Sequence, residues 1–426
     1  MSREESGCPF MSRRKFLAAT AGSLAAATAS SVAAPLTTAP ADAPTPTSTV
    51  PFYGQYQAGI LTRAQSNTYF ATFDITTTNR EELTNLLRTW TTASAAMTQG
   101  QPAAPLTADP SVPANDSGDT LGLSPSRLTL TFGLGPTLFT KNNQDRFGLA
   151  SRRPAALIDL PRFASDQLID AKTGGDLSIQ ACADDPQVAF HAIRQLARLA
   201  YGTAEIRWTE SGFLGNFGPK ETPRNLMGFK DGTGNPSVDD PALMNQFVWA
   251  DTKGPQWMTN GTYAVVRRIR MALEHWDRMN LSFQEQAVGR QKQSGAGLAN
   301  KNEFDPVDLD ATDKDGNSIV PDNSHVRLAM PASNDGARIL RRSYNYNDGT
   351  NFTAERWPPW RQAMEYDAGL LFICYQKDIR TGFAKIFDQM SKIDMMNQFV
   401  THNGSAVFAC PPGIALGQFI AQSLFD

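Results

Sequence analysis

The chain has 426 residues but only four Cys and four His. Cys8, Cys182, Cys374 and Cys410 form no C-x-x-C pair and no zinc spacing, which excludes disulfide scaffolds, zinc ribbons and covalent attachment of a c-type haem. His191, His275, His325 and His402 lie far apart in the sequence, so a metal site built from adjacent histidines is excluded as well. There is no basic surplus: 39 Lys and Arg stand against 42 Asp and Glu, a net charge of -3. Such a chain has little with which to neutralise a phosphate backbone, and no nucleic-acid partner is expected. A hydrophobic content of 41% excludes wholesale disorder, and the length allows two or three compact units. A small-molecule function follows as the expectation.

Uninterrupted apolar runs are also scarce. The most suggestive is Ala18 to Ala34, too short and too rich in Ala, Thr and Ser to anchor in a bilayer, preceded by Ser12-Arg13-Arg14-Lys15-Phe16-Leu17. That order reads as an export signal, and the consecutive arginines before Phe-Leu resemble the twin-arginine type, which carries proteins already folded. Cleavage after Ala33 or after Ala43 both satisfy the small-residue rule. Pro35 to Pro51 then reads as a linker. The mature protein is expected to be soluble in the periplasm or outside the cell, with residues 1–45 as signal and linker.

What is present in quantity is a repeated pattern. Leu177 to Ala181 reads as a strand followed by a helix that Asp185-Pro186 starts, with Phe190 and Ile193 on one face; Leu370 to Tyr375, Asp378, Phe383 and Ile386 repeat it. Earlier in each half comes another strand and helix, Thr68 to Ile75 with Glu81 to Trp90, and Thr262 to Ile269 with Met271 to Met279. Arg127 to Phe132 and Ile339 to Tyr346 add a further strand each. The expectation is an α+β protein of two βαββαβ halves, residues 46–240 and 241–426, with antiparallel sheets and helices on one face. Gln99 to Asp119 and Gly289 to Ser324 read as long surface loops.

Two segments concentrate chemistry. Gly228-Phe229-Lys230-Asp231-Gly232-Thr233-Gly234-Asn235-Pro236 lacks the Lys-Ser/Thr ending of a phosphate loop, and Pro236 forbids the helix a dinucleotide loop needs. It leaves a tight turn presenting the carboxylate of Asp231. Ser324-His325-Val326-Arg327-Leu328 is followed by Ile339-Leu340-Arg341-Arg342-Ser343-Tyr344. Taken singly, an Asp-Gly turn and a lone His are commonplace, but a single His suffices for a haem iron, where the porphyrin supplies four nitrogens. The acidic loop Asp308 to Asp322 only partly imitates a calcium loop and reads as solvated.

Together with His402-Asn403-Gly404-Ser405-Ala406 through Pro411-Pro412-Gly413, these segments resemble the dye-decolourising peroxidases, in particular the exported deferrochelatase/peroxidase subgroup of bacterial iron uptake. The resemblance covers about residue 55 to the C-terminus. It implies two ferredoxin-like halves in an α+β sandwich or barrel, with haem b bound non-covalently in the C-terminal half. It further implies His325 as the iron ligand, Asp231 as distal acid and base, Arg341 as distal arginine, and Gly232, Thr233 and Arg342 as haem-binding neighbours. Hydrogen peroxide and a phenolic or dye-like donor, or a porphyrin, become the small-molecule partners; iron-uptake components and a homo-oligomer stay open. A non-enzymatic haem-delivery protein is the alternative. One carboxylate can take a proton from one peroxide oxygen and return it to the other, while an arginine stabilises the charge that develops. Asp388, on the last helix, is the expected partner of the second ring nitrogen of His325. If Ile339 to Tyr344 is a strand, Arg341 and Arg342 face opposite sides.

Overall fold

The computed structural model describes residues 49–218, 221–350 and 365–426; the twin-arginine segment lies outside the described residues. From Asn67 the chain runs β1 (Asn67–Ile75), α1 (Arg80–Met97), β2 (Thr129–Leu134), β3 (Leu177–Ala183), α2 (Pro186–Leu199) and β4 (Ala204–Phe213). All pairings are antiparallel, in the order β2-β3-β1-β4, which is the ferredoxin-like arrangement. The start of α2 is where the sequence puts it: Pro186 takes the first helical position and Asp185 accepts hydrogen bonds from the N–H groups of Gln187 and Val188.

The second half repeats the order with different connections. β5 (Thr262–Met271) is followed by the short helices α3 (Leu281–Val288) and α4 (His325–Ala329), then β6 (Leu340–Arg341), β7 (Tyr344–Thr350), β8 (Tyr366–Gln376), α5 (Phe383–Ile393) and β9 (Val400–Cys410). β8 pairs with β5, β6 and β7, and β5 pairs with β9. Phe213 pairs with Asn345 and Leu134 with Ala409, so the two sheets meet at both edges and the strands close into a barrel.

Period-two alternation sorts the side chains. Phe70, Trp208, Val266, Leu371, Ile373, Tyr375 and Phe408 point inward and pack on one another. The alternate set, including Phe73, Ile179, Val265 and Val407, is covered by Leu83, Leu87 and Trp90 of α1, Ile193 and Leu196 of α2 and Phe383 of α5. Trp90 also donates from Nε1 to the Leu196 carbonyl at 2.8 Å, tying α1 to α2.

Several sequence expectations need adjusting. The helix expected over Met271 to Met279 is only Leu273–Trp276. Asp378 does not cap α5, whose N-cap is Gly382; its carboxylate accepts from Arg380 N–H at 2.8 Å in the preceding turn. The segment His402-Asn403-Gly404 lies within β9, where a register shift opposite Arg268 and Ile269 absorbs one residue. Among the described residues no helix is long and apolar enough to cross a membrane.

Candidate active site

The site lies on the C-terminal half, where the connection from β5 to β6 holds only short helices. On the first half the 18-residue α1 covers the sheet and leaves Phe73 and Ile179 fully buried. On the second, Ile269 of β5, Phe372 of β8 and Val326 of α4 stay partly open and pack around one small apolar cluster.

His325 opens α4, directly after the buried Ser324. Its Nδ1 lies 2.7 Å from Asp394 Oδ2, and the ring is 41% exposed. Asp394 is held in turn: it ends α5, its Oδ1 accepts from Met396 N–H at 2.8 Å, and the next residue's N–H reaches the Asn323 carbonyl at 3.1 Å. Burial disfavours charge on His325, but Asp394 outweighs it and holds the imidazole pKa above its ordinary value, with Arg341 opposing and Asp231 assisting. A carboxylate on Nδ1 fixes the tautomer and leaves Nε2 as the lone-pair nitrogen. Asp388, expected in this role, instead pairs with Lys392 on the outer side of α5.

A cavity of about 260 Å³ is lined by Asp231, Gly232, Asn235, Leu370 and Arg341, and also by Thr62, Leu340 and Arg342. Arg341 Nη1 donates to Asp231 Oδ1 at 2.6 Å. The turn carrying Asp231 needs its glycines: Gly228 and Gly232 have φ of +86° and +131°, and a Cβ on Gly228 would stand 2.7 Å from Lys292 Cε. Thr233 Oγ1 donates to Glu303 Oε1 at 2.9 Å, and Lys230 pairs with the other oxygen of the same carboxylate, so the long loop after α3 is pinned on the Asp231 turn.

β6 and β7 share one register against β8, interrupted at Arg342 and Ser343. Alternation therefore separates the two arginines: Arg341 faces the cavity carboxylate, whereas Arg342 is buried and donates to the Thr62 carbonyl and Gln65 Oε1. Both of these acceptors of Arg342 are neutral. His402, the other family-like histidine, is buried in β9 and accepts from Arg267 Nε at 3.2 Å; burial and that guanidinium drive its pKa well down.

The geometry is matched by likeness to known proteins. Family profiles described as Dyp-type peroxidase, N-terminal and C-terminal, match residues 57–214 and 222–415. The chain belongs to the Dyp-type peroxidase family. It is 37% identical over 373 residues to the deferrochelatase of Escherichia coli (strain K12), covering 85% of this chain and 84% of that protein. Ferric DtpA from Streptomyces lividans superposes with a TM-score of 0.81 at 37% identity over 90% of this chain and 99% of its own. The DyP-type peroxidase from Cellulomonas bogoriensis gives 0.77 at 36% identity, covering 89% and 98%. As a Dyp-type peroxidase the chain is a haem-dependent enzyme. Its own residues suit that group: a histidine with a carboxylate on Nδ1 and a free Nε2, a partly open apolar face at Ile269, Val326 and Phe372, and a carboxylate–guanidinium pair electrostatically coupled to the histidine. Asp394, Asn235 and Glu303 are site residues that the sequence reading missed. The face of α5 could have excluded Asp388, since Phe383, Ile386, Phe387 and Met390 define its buried side.

Proposed function

We propose that this peroxidase holds haem b non-covalently through His325 Nε2 and uses Asp231 and Arg341 to work on hydrogen peroxide, oxidising phenolic or dye-like donors. The observation that carries this is the 2.6 Å pair of Arg341 and Asp231 in a cavity electrostatically linked to a histidine that Asp394 orients. Bound there, haem would supply the redox-active iron on which the peroxide O–O bond is cleaved and from which two oxidising equivalents pass to donors. Arg341 occupies Oδ1 of Asp231, so Oδ2 is the atom that takes a proton from one peroxide oxygen and returns it to the oxygen that leaves as water. The Arg341 guanidinium stabilises the negative charge that builds on the oxygens. Asp394 keeps the imidazole proton on Nδ1 and makes His325 a more basic ligand.

Release of iron from haem is the second activity proposed, because the curated relatives at 37% identity carry the name deferrochelatase. In that reaction the porphyrin nitrogens regain two protons as the metal leaves. Export in folded form through the Arg13-Arg14 signal, to the periplasm or beyond the cell, completes the proposal. Iron-uptake components would then be its neighbours.

Mixing the haem-loaded protein with peroxide and a phenolic dye tests both activities at once. Peroxide-dependent bleaching supports the peroxidase reading, and fluorescence of free porphyrin supports iron release. A protein that keeps its haem, bleaches nothing and frees no porphyrin would be a carrier instead.

A further inference from the structure

β6 is only two residues long and ends its sheet: Leu340 and Arg341 pair with Tyr375 and Cys374 of β8. The next ladder bond, Arg342 N–H to the Ile373 carbonyl at 2.7 Å, also points toward β8. Backbone groups of successive strand residues point to opposite edges, so the N–H and C=O of Arg341 face away from β8, where among the described residues no strand pairs with β6. Both still need partners. Asn235 provides them together: Nδ2 donates to the Arg341 carbonyl at 2.8 Å and Oδ1 accepts from Arg341 N–H at 3.1 Å. One primary amide thus imitates the donor and acceptor of an absent neighbouring strand. A carboxylate there could accept but not donate, and a glutamine would carry an extra methylene.

Asn235 also belongs to the turn that presents Asp231. Its N–H reaches the Gly232 carbonyl at 2.9 Å, and Asp231 N–H reaches the Pro223 carbonyl at 2.8 Å. Pro236 follows immediately and restricts Asn235 to extended backbone, which pre-sets the aim of its side chain. The loop that carries the carboxylate therefore grips the backbone that carries the guanidinium.

We propose that Asn235 is a positioning residue that fixes the separation of Arg341 from Asp231, acting on peroxide only through Arg341. The inference rests on reading that pair as the peroxide site. Asn235→Ala, Arg341→Leu and the double variant, each loaded with haem, decide it by stopped-flow mixing with peroxide. Misplacement on the order of an ångström can cost about a hundredfold in rate, so Asn235→Ala should slow the reaction by roughly tenfold to a hundredfold. The double variant should be no slower than Arg341→Leu alone, because a residue acting through Arg341 has nothing left to position. A purely structural role would make the two losses multiply, and that result overturns the proposal. So does an Asn235→Ala rate within about twofold of wild type beside a slow Arg341→Leu. A normal rate in Arg341→Leu would instead sink the peroxide-site reading, and the positioning role with it. The haem-free protein gives a separate readout: amide exchange of the peptide containing Arg341 should quicken in Asn235→Ala while β5 and β9 stay protected, and unchanged exchange at Arg341 contradicts the clamp. If Asn235→Ala does not fold, the isosteric Asn235→Asp keeps the acceptor and loses the donor; it should slow the peroxide step, and a wild-type rate in it overturns the proposal.

Discussion

Arg341 and Arg342 are neighbours in sequence with unlike surroundings, and the difference is measurable. Arg341 donates to a carboxylate that is itself one-fifth exposed on a cavity. Arg342 is buried against Thr62 and Gln65, and Gln65 has no solvent exposure. Losing a donor aimed at transition-state charge costs about a hundredfold to a thousandfold in rate, and Arg341→Leu should slow the reaction with peroxide by that factor while haem stays bound. Arg342→Leu strands the buried Gln65 oxygen, a loss of about 1 to 3 kcal/mol, and should show chiefly as a lower melting temperature. Stopped-flow rates beside thermal melts separate the two. A slow Arg342 variant with a near-normal Arg341 variant would reverse the assignment. The separation was legible in the sequence because strand alternation needs only two adjacent positions. The partner of His325 was not, because Asp394 lies at the end of α5, and only packing shows that this end meets α4.

At the scale of the elements, Arg268 of β5 ties the two halves together. Its guanidinium reaches Glu210 of β4, Asp348 of β7 at 2.7 Å, Asp367 of β8 at 2.9 Å and Asn403 of β9 at 3.1 Å, and lies 4.0 Å from the centre of the Tyr346 ring. One arginine serves three carboxylates, and burial falls hardest on Glu210, whose pKa is pushed up to about 7 despite the attraction of Arg268. The sign follows. Folded Glu210 holds its proton at pH values where the unfolded residue has lost it, so stability falls as pH rises from about 4.5 to about 7, by up to about 3 kcal/mol. Glu210→Gln should flatten the melting temperature across that window; an unaltered slope would place the effect elsewhere. This cluster also explains why β4 and β9 were illegible. Glu210 in one and Asn403 in the other are polar residues whose shared partner, Arg268, lies on a strand distant in sequence, so neither strand stood out as a hydrophobic run.

For the whole molecule, duplication gives two halves of one topology and their connections give them different uses. The first half spends its β1 to β2 connection on α1, a full cover for the sheet; the second spends β5 to β6 on loops that carry His325 and Glu303 and leave Ile269 and Phe372 partly open. The repeated strand and helix pattern announced the fold because hydrophobic periodicity survives in α1, α2, α5 and the central strands. The cavity was not announced, because it depends on how loops of unlike sequence settle on the Asp231 turn. Export belongs to this scale as well: replacing Arg13 and Arg14 by Lys should retain the protein in the cytoplasm, as fractionation and immunoblotting would show, since the pair is read as an address and not as charge alone. Unchanged export would remove the twin-arginine proposal and leave the peroxidase assignment standing. The central claim is that His325, alone among the histidines, holds the haem. Titrating haem into wild type, His325→Ala and His402→Ala while recording the absorption spectrum tests it most directly. The account predicts that His325→Ala loses the histidine-ligated spectrum and His402→Ala keeps it; an intact spectrum in His325→Ala with loss in His402→Ala would contradict it.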